Sequence, residues 1–485
     1  MIIGRHKELA SLNRVYHSNE AEFIVVYGRR RVGKTFLVRE YFHEQACLLL
    51  HVTGLQKGSM AKQLGHFSDV LAKCFMPGID LKPSRSWEDA FKLLTQFIEN
   101  EKSTQKIVIF LDELPWMATR KSGLLEALDY YWNRFWSSNP RVILIACGSS
   151  ASWLIKNIIY NKGGLHNRCT CELRIEPFCL AEVEQFLFSK EVRLNRRHVL
   201  ELYLALGGIP YYLRYVESHL TAAENIQKIL FNRNSPLAGE FEKLFKSLFS
   251  GASHYIELIK IIASKREGIA RSEIELLSKK ASIGGRLSVR LNNLIQANFI
   301  ESFMPWGKKR GEYFRLMDEF CLFYIYWISP NRYVKFTSDH WLQQHNKPSY
   351  HAWAGLAFEA ICLKHIDTII NALHIKTAEY TSSWRIAASG AQKFGAQIDL
   401  LIDRSDDAIT VCEIKYTDEP LIIDKAFMTT LNTKVDIFKK KTQTKKQVFV
   451  ALISANGIKP NQYSKEGING VVTLNDLFII DKSVT

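Results

Sequence analysis

Residues 28–35 of this 485-residue chain have the sequence GRRRVGKT, which fills every position of the phosphate-binding loop (P-loop) pattern G-x-x-x-x-G-K-[ST]. The apolar run FIVVY at 23–27 predicts a buried strand before the loop, and apolar residues at helical spacing over 36–42 predict a helix after it. Glycines at such a turn let backbone N–H groups point at a phosphate. The pattern predicts nucleotide binding by Gly28, Arg29, Arg30, Arg31, Val32, Gly33, Lys34 and Thr35.

Two side chains of this loop have predicted chemical roles. Lys34 would reach the β- and γ-phosphates of ATP, and Thr35 would ligate Mg²⁺. The alternative is a chance match to a short pattern, and the flanking strand and helix argue against it.

A second segment, IVIFLDE at 107–113, is a continuous apolar strand that ends in two carboxylates. Asp112 would hold the Mg²⁺ shell, and Glu113 would orient and deprotonate the attacking water. The alternative is a helix N-cap after the strand. A further apolar strand over 142–146 precedes Ser149, so we expect another polar group at the same sheet edge, where ligands of open α/β sheets bind.

Composition and charge indicate which binding partners and which cellular compartment to expect. Sixty-four Lys and Arg against forty-nine Asp and Glu give a formal net charge of +15, which favours a polyanion such as DNA, although a solvated basic surface is the alternative. The longest strongly apolar run, 320–328, is far shorter than the ~20 residues of a membrane span. The first residues have no signal-peptide core, so we expect a soluble, cytoplasmic protein without membrane association.

From residue 251 onward, short helical patterns are followed by strands and the turn GKKRG at 307–311, which predicts a winged helix. Arg286 and Arg290 would lie on its recognition helix. Lys308, Lys309 and Arg310 would form the wing tip and contact DNA phosphates. The alternative is a module that packs between domains or proteins.

Near the C-terminus, QIDLLIDRSDDAITVCEIKY at 397–416 predicts two paired strands. Asp399 and Glu413 could chelate one divalent ion, Mg²⁺ or Mn²⁺, with Lys415 beside it to position or activate a nucleophile. Glu359, on a helix upstream, would be a further metal ligand. The alternative is the solvated face of a sheet edge. A basic run that follows could hold a phosphate backbone: Lys434, Lys439, Lys440, Lys441, Lys445 and Lys446.

Five segments of the first half resemble the archaeal-type ATPases of the STAND/AAA+ group: IIGRHKEL at 2–9, the P-loop, FLDELPW at 110–116, GSS at 148–150 and GGIP at 207–210. The resemblance implies an AAA+-like core in which the opening Gly-Arg borders the adenine and Ser149 senses the γ-phosphate. It also implies that GGIP begins a helical lid and that Arg168 can reach nucleotide phosphate. Whether Arg168 acts in cis or in trans is open, and action in trans would require a homo-oligomer.

The C-terminal segments GLAFE at 355–359, IDLLID at 398–403 and CEIKY at 412–416 are similar to the PD-(D/E)xK nuclease superfamily, although Asp399 lacks the preceding proline. The resemblance implies a restriction-endonuclease-like α/β domain, with Asp399, Glu413 and Lys415 as catalytic residues.

These patterns together predict a multidomain α/β protein. Its parts would be a P-loop ATPase core at 1–175, a helical lid at 176–250, a winged helix at 251–345 and a nuclease-like domain at 346–485. The predicted function is ATP hydrolysis that controls action on DNA, with Glu113 as the catalytic base. The alternatives are a regulatory ATP switch with a non-cleaving C-terminal domain and a P-loop kinase, which the LDE segment disfavours.

Overall fold

The computed structural model describes residues 1–160, 163–165, 167–232, 234–265, 267–279, 284–308, 310–331, 339–345, 347–386 and 395–480. Within these residues the chain divides into two compact units. The first contains residues 1–177 and 291–298, and the second contains residues 178–290 and 299–480. In the described part of the chain, no helix is both long enough and apolar enough to cross a membrane.

The first unit is built on a parallel five-stranded sheet with the order β2-β3-β4-β1-β5. Its elements in chain order are α1 His6–Tyr16, β1 Glu22–Tyr27, α2 Lys34–His43, β2 Cys47–Thr53, α3 Met60–Phe75, α4 Trp87–Asn100, β3 Lys106–Asp112, α5 Leu114–Met117, α6 Leu124–Arg134, β4 Val142–Gly148, α7 Ala151–Leu154 and β5 Cys171–Arg174.

The central strands of this sheet are buried on both faces, as their continuous apolar sequences predict. Every residue of β1 and of β4 is buried, which is typical of a parallel sheet with helices on both sides. One face packs against α3, α4 and α6, whose buried side chains include Phe67, Phe91 and Tyr131. Helix α4 begins at a serine cap, where the Ser86 hydroxyl accepts the Asp89 N–H at 3.1 Å.

The second unit begins with short helices: α8 Leu180–Ser189, α9 Arg196–Leu206, α10 Pro210–Leu213, α11 Ala222–Ile226 and α12 Glu240–Leu248. The GGIP segment at 207–210 follows α9 and leads into α10. Because α8 and α9 precede it, the prediction that GGIP begins the helical region is wrong. Its glycines end α9. Gly207 has a φ of 63°, and Gly208 lies so close to Phe178 that a Cβ would overlap the Phe178 carbonyl oxygen.

Three helices and a small antiparallel sheet with the order β6-β8-β7 follow. They are α13 Ala252–Ala263, β6 Ile269–Ala270, α14 Arg271–Leu277, α15 Gly285–Gln296, β7 Ile300–Phe303 and β8 Tyr313–Leu316. We call residues 252–290 and 299–316 the middle module. Residues 291–298, the end of α15 and the turn after it, group with the first unit.

The remaining elements are α16 Glu319–Phe323, α17 His340–Gln344, α18 Pro348–Lys364, α19 Ile366–Ala372, β9 Ala378–Ile386, β10 Ala396–Arg404, β11 Ala408–Lys415, β12 Leu421–Ile422, α20 Lys425–Thr442, β13 Gln447–Ser454, β14 Ile458–Lys459, α21 Gln462–Gly467 and β15 Gly470–Thr473. We call residues 348–480 the C-terminal module. Its main sheet has the order β15-β13-β11-β10-β9, with β9, β10 and β11 antiparallel and β11, β13 and β15 parallel.

We expect Gly208→Ala to lower the thermal unfolding midpoint, because the added methyl group has no room beside the Phe178 backbone. Overpacking of this kind costs about 1–3 kcal/mol. Gly355→Ala is the matched control: it lies inside α18, nothing is within 4 Å of its added Cβ, and alanine favours a helix over glycine. Scanning calorimetry of both variants checks this, and a Gly208→Ala protein that unfolds at the wild-type temperature would contradict the packing described.

Candidate nucleotide site and C-terminal acidic site

The backbone of the P-loop takes conformations that favour glycine. Gly28 has a φ of 144°, and a Cβ there would overlap the Ile175 carbonyl oxygen. Gly33 has a φ of 96° and begins α2, and Arg31 between them has a φ of 73°. The two glycines of the pattern therefore lie where a side chain is disfavoured, and the loop ends at a helix N-terminus, which suits an anion.

The Lys34 ammonium is buried inside the loop. Its Nζ donates to the carbonyl oxygens of Gly28 and Arg29, both at 3.0 Å. Burial lowers the pKa of Lys34, and the nearby Glu113 and Asp112 carboxylates partly offset that effect. The predicted phosphate-binding lysine is thus positioned by the loop whose carbonyls it contacts.

Thr35 and Asp112 meet across the end of the sheet. The Thr35 hydroxyl donates to Asp112 Oδ2 at 2.9 Å, and His51 Nε2 lies 3.7 Å from the same oxygen. Burial would raise the pKa of Asp112, but hydrogen bonds from His51, Thr35 and Cys147 outweigh it and lower the pKa below its usual value. An ionised carboxylate beside a threonine hydroxyl is a suitable donor pair for Mg²⁺.

Glu113 is held by the end of the neighbouring strand. Its backbone has a left-handed φ of 49°, and its Oε2 accepts from the backbone N–H of Ser149 at 3.2 Å and from the Ser149 hydroxyl at 3.0 Å. Because β3 and β4 are adjacent and parallel, both residues lie at the carboxyl edge of the sheet. The structure therefore brings together Lys34, Thr35, Asp112, Glu113 and Ser149.

Arg5, which precedes α1, forms a hydrogen bond with the P-loop. Its guanidinium donates to the carbonyl oxygen of Val32 at 3.0 Å and to that of Glu176 at 2.7 Å, and it lies 3.4 Å from Glu8. The side chain is buried. The sequence pointed only to an adenine-bordering Gly-Arg segment, because nothing local to Arg5 indicates a contact with residues so distant in the chain.

The other predicted arginines lie in different places. Arg29 is buried, and the Arg30 guanidinium lies 6.0 Å from the centre of the Trp116 ring. Arg168 is exposed and precedes β5, which pairs in parallel with β1 from Ile24 onward. It therefore lies at the amino edge of the sheet, opposite the P-loop, and the structure does not bring it to the nucleotide site.

In the C-terminal module, Asp399 lies on β10 beside β11. Its Oδ2 accepts the Ile414 N–H at 3.1 Å, and Gln397 Nε2 lies 3.4 Å from its Oδ1. Burial and the negative charge of Glu413, on the paired strand β11, raise the pKa of Asp399.

The Glu413 carboxylate accepts hydrogen bonds from two lysine ammonium groups. Lys415 Nζ contacts Oε1 at 2.7 Å, and Lys434 Nζ, from α20, contacts both Oε1 and Oε2 at 2.8 Å. Lys434 therefore lies in the acidic site and is not available for the phosphate-backbone contact that the sequence predicted. Lys446 also contacts a carboxylate, with its Nζ 2.6 Å from Asp403 Oδ1. The other lysines of the predicted phosphate-contacting run are exposed: Lys439, Lys440, Lys441 and Lys445.

The predicted metal set of Glu359, Asp399 and Glu413 is not assembled. Within the described ranges, no three His, Cys, Asp or Glu side chains converge in a way that could hold a metal ion. Glu359 and Asp399 line one cavity of about 240 Å³, which does not include Glu413. The physical reason is that Glu413 contacts Lys415 and Lys434 instead.

The middle module forms the other wall of this cavity, through residues that include Glu267, Lys308 and Arg315. Glu267 forms an ion pair with Arg385 of β9. The two acidic residues of the C-terminal module therefore face a small space that is bounded by both modules.

The β7–β8 connection, predicted as a DNA-contacting wing, packs on the C-terminal sheet. Trp306 donates its backbone N–H to the Ser383 carbonyl oxygen at 3.1 Å and its ring Nε1–H to Asp403 Oδ2 at 3.0 Å. Its ring lies 5.1 Å from that of Phe438. At the tip, Lys308 contacts the Tyr313 hydroxyl, Arg310 is exposed, and Lys309 lies outside the described residues.

Helix α9 contacts the segment that follows β11. The Arg197 guanidinium lies 4.1 Å from the centre of the Tyr416 ring, donates to the Thr417 carbonyl oxygen at 2.9 Å and pairs with Asp418. Because Tyr416 directly follows Lys415, this contact ties the helical region to the strand that carries the acidic site.

Replacing Arg5 with alanine should loosen the P-loop, because it removes two hydrogen bonds from a charged donor, each worth about 1.5–3 kcal/mol. We expect a lower unfolding temperature and, by calorimetric titration, ATP affinity weakened about tenfold or more. Arg168→Ala is the control and should match the wild type in both measurements. Equal ATP affinity of the Arg5 variant and the wild type would contradict the role assigned to Arg5.

Comparison with known proteins finds similarity to ATPases. Residues 2–216 match the model of an ATPase domain found predominantly in Archaea. An uncharacterized protein of Methanocaldococcus jannaschii is 27% identical over 426 residues, which cover 86% of this chain and 88% of that protein.

Among solved structures, the Walker-type ATPase of Pyrococcus abyssi is similar with a TM-score of 0.47 and 19% identity, over 67% of this chain and 96% of that one. The ORC2 protein of Aeropyrum pernix has a TM-score of 0.44 and 14% identity, over 75% of this chain and 95% of that one. The stretch that matches the family model, residues 2–216, contains the P-loop, Asp112, Glu113 and Ser149.

Proposed function

We propose that this chain binds and hydrolyses ATP, and that its nucleotide state controls its action on DNA. The observation that carries the ATPase part is the meeting of Thr35 and Asp112 at 2.9 Å, with Lys34 and Glu113 beside them. A phosphate-binding lysine, a pair suited to Mg²⁺ and a carboxylate base thus share one sheet edge.

Each group has a defined task in that reaction. Lys34 would exchange its two loop carbonyls for oxygens of the β- and γ-phosphates, and the N–H groups of the loop would surround the same phosphates. Mg²⁺, when bound at Thr35 and Asp112, supplies positive charge that offsets the charge of the phosphates.

Glu113 would accept the proton of the attacking water at its carboxylate. In the geometry described, Ser149 donates twice to Glu113 Oε2, so this oxygen must be freed before it can accept that proton. Ser149 lies where a γ-phosphate could compete for its hydroxyl, which supports its proposed role as a γ-phosphate sensor.

Two substitutions separate binding from chemistry. Lys34→Ala should weaken ATP binding strongly, because the buried positive charge is lost. Glu113→Gln should keep the affinity but slow hydrolysis about 100-fold or more, the usual effect of losing a general base. Affinity by calorimetry and turnover by phosphate release measure the two effects, and equal turnover in wild type and both variants would reject these roles.

DNA is the proposed partner because of the net charge of +15 and the order of elements beyond residue 250. The middle module has the helix and strand order of a winged helix, with Arg286 exposed on α15. The mixed sheet of the C-terminal module, with Asp399 and Glu413 on adjacent strands, supports a PD-(D/E)xK-like domain. Exposed lysines at the end of α20 add positive surface.

Each of the two units has one contact that bears on how nucleotide state could be transmitted. In the first unit, Arg174 at the end of β5 donates to Asn298 and, at 3.4 Å, to the Ile295 carbonyl oxygen. In the second unit, Arg197 holds the segment after Lys415. Movement of the segment that Arg197 holds could bias the acidic site, because this segment directly follows Lys415.

A second candidate is a regulatory ATP switch whose C-terminal module does not cleave DNA. The observation that favours it is the double lysine contact of Glu413 together with the missing three-carboxylate cluster in the described part of the chain.

A DNA-cleavage assay decides between these candidates. A substitution at Trp306 should make weak cleavage easier to detect. Trp306→Ala removes the contacts that hold the β7–β8 connection against the C-terminal sheet, so the cavity with Glu359 and Asp399 should open. With Mn²⁺ present, we expect faster DNA cleavage than in the wild type. Trp306→Phe keeps an aromatic ring beside Phe438 but loses the hydrogen bond to Asp403, and should give a smaller increase.

The double variant Trp306→Ala, Asp399→Ala should be inactive in this assay. Cleavage that persists in it would place the active site elsewhere. Absence of cleavage in the wild type and in Trp306→Ala would favour the non-cleaving switch.

A further inference from the structure

The contacts of Glu413 present an unusual charge balance. One buried carboxylate receives two ammonium groups, and Lys434 is within 2.8 Å of both of its oxygens. The Glu413 side chain is 7% exposed, whereas Lys434 is 25% exposed. The carboxylate is therefore fixed in the interior while the lysine on α20 reaches it from the surface.

Divalent cations bind carboxylates through the same oxygens. A metal ion that approached Glu413 would have to replace at least one hydrogen-bonded ammonium, and like charges repel at these distances. Asp399 lies on β10, which pairs with the strand that carries Glu413, so a second carboxylate is on the adjacent strand. Lys434 supplies a positive charge at this place.

The two lysines are not equivalent. Lys415 lies two residues from Glu413 on the same strand and contacts only Oε1. Lys434 comes from a different element and contacts both oxygens, so a metal ion that bound Glu413 through both oxygens would have to displace it. A change in the position of α20, or of the Lys434 side chain alone, would free Glu413 without moving the strand.

We propose that Lys434 occupies the metal-binding oxygens of Glu413 and so keeps divalent ions out of the C-terminal acidic site until it moves away. This inference rests on the proposed function, since it assigns regulation to the same acidic site. It also gives a reason why the three predicted ligands do not form a cluster: both oxygens of Glu413 contact an ammonium group.

The test is a Mn²⁺ titration of the full chain, followed by the electron paramagnetic resonance of free Mn²⁺. Asp112→Asn is included in every protein to suppress Mn²⁺ binding at Thr35 and Asp112, and no nucleotide is added. Lys434→Met keeps the aliphatic stem and removes the charge. We expect it to bind Mn²⁺ about tenfold more tightly than the parent, because a competing positive charge is gone.

Three further variants test whether the gain in Mn²⁺ affinity is specific to the Lys434–Glu413 contact. Lys439→Met, an exposed lysine on the same helix, should leave Mn²⁺ affinity at the parent value. Lys434→Met with Glu413→Gln should lose the gain. Lys434→Gln gives a second neutral variant, and circular dichroism verifies the fold of each. Unchanged or weaker Mn²⁺ binding in both folded neutral variants, or a gain that survives Glu413→Gln, would overturn the proposal.

The outcome is separable from that of the cleavage assay, because the readout is metal occupancy. Tighter Mn²⁺ binding without any DNA cleavage would support the role of Lys434 and reject the nuclease. Cleavage without the change in Mn²⁺ affinity would do the reverse.

Discussion

The nucleotide site depends on the parallel register of three adjacent strands. β1, β3 and β4 all run in one direction, so the segments that follow them meet at one edge of the sheet. That edge receives the P-loop after β1, the acidic pair at the end of β3, and Ser149 after β4. If one of these strands were reversed or displaced in the order, the segment that follows it would no longer be near the other two.

The two acidic centres stabilise their carboxylates in different ways. Asp112 is buried, and neighbouring hydrogen-bond donors keep its pKa low, so it is ready to share a metal ion with Thr35. Glu413 is also buried, but its partners are full positive charges, Lys415 and Lys434. A cation can join the first site without displacing another cation, whereas at the second it must compete with one. This difference supports ATP chemistry more strongly than cleavage.

Local sequence predicted the parts of the site that are local in origin. The P-loop and the strand ending at Asp112 were visible because strand, turn and helix signals lie within a few residues of the chemistry. The contacts of Arg5, His51 and Lys434 were not predictable, since each depends on a partner far away in sequence. Arg168 is not near the nucleotide site of its own chain, because the position of β5, which starts only at Cys171, decides which sheet edge the arginine occupies. Its action in trans stays a prediction.

The central claim is that Lys34 holds the triphosphate, and a structure of the chain with a non-hydrolysable ATP analogue and Mg²⁺ tests it most directly. The account predicts that Lys34 Nζ leaves the Gly28 and Arg29 carbonyl oxygens and lies about 3 Å from oxygens of the β- and γ-phosphates. It also predicts the metal ion beside Thr35 and Asp112. A nucleotide bound elsewhere, with Lys34 still on the two loop carbonyls, would contradict it.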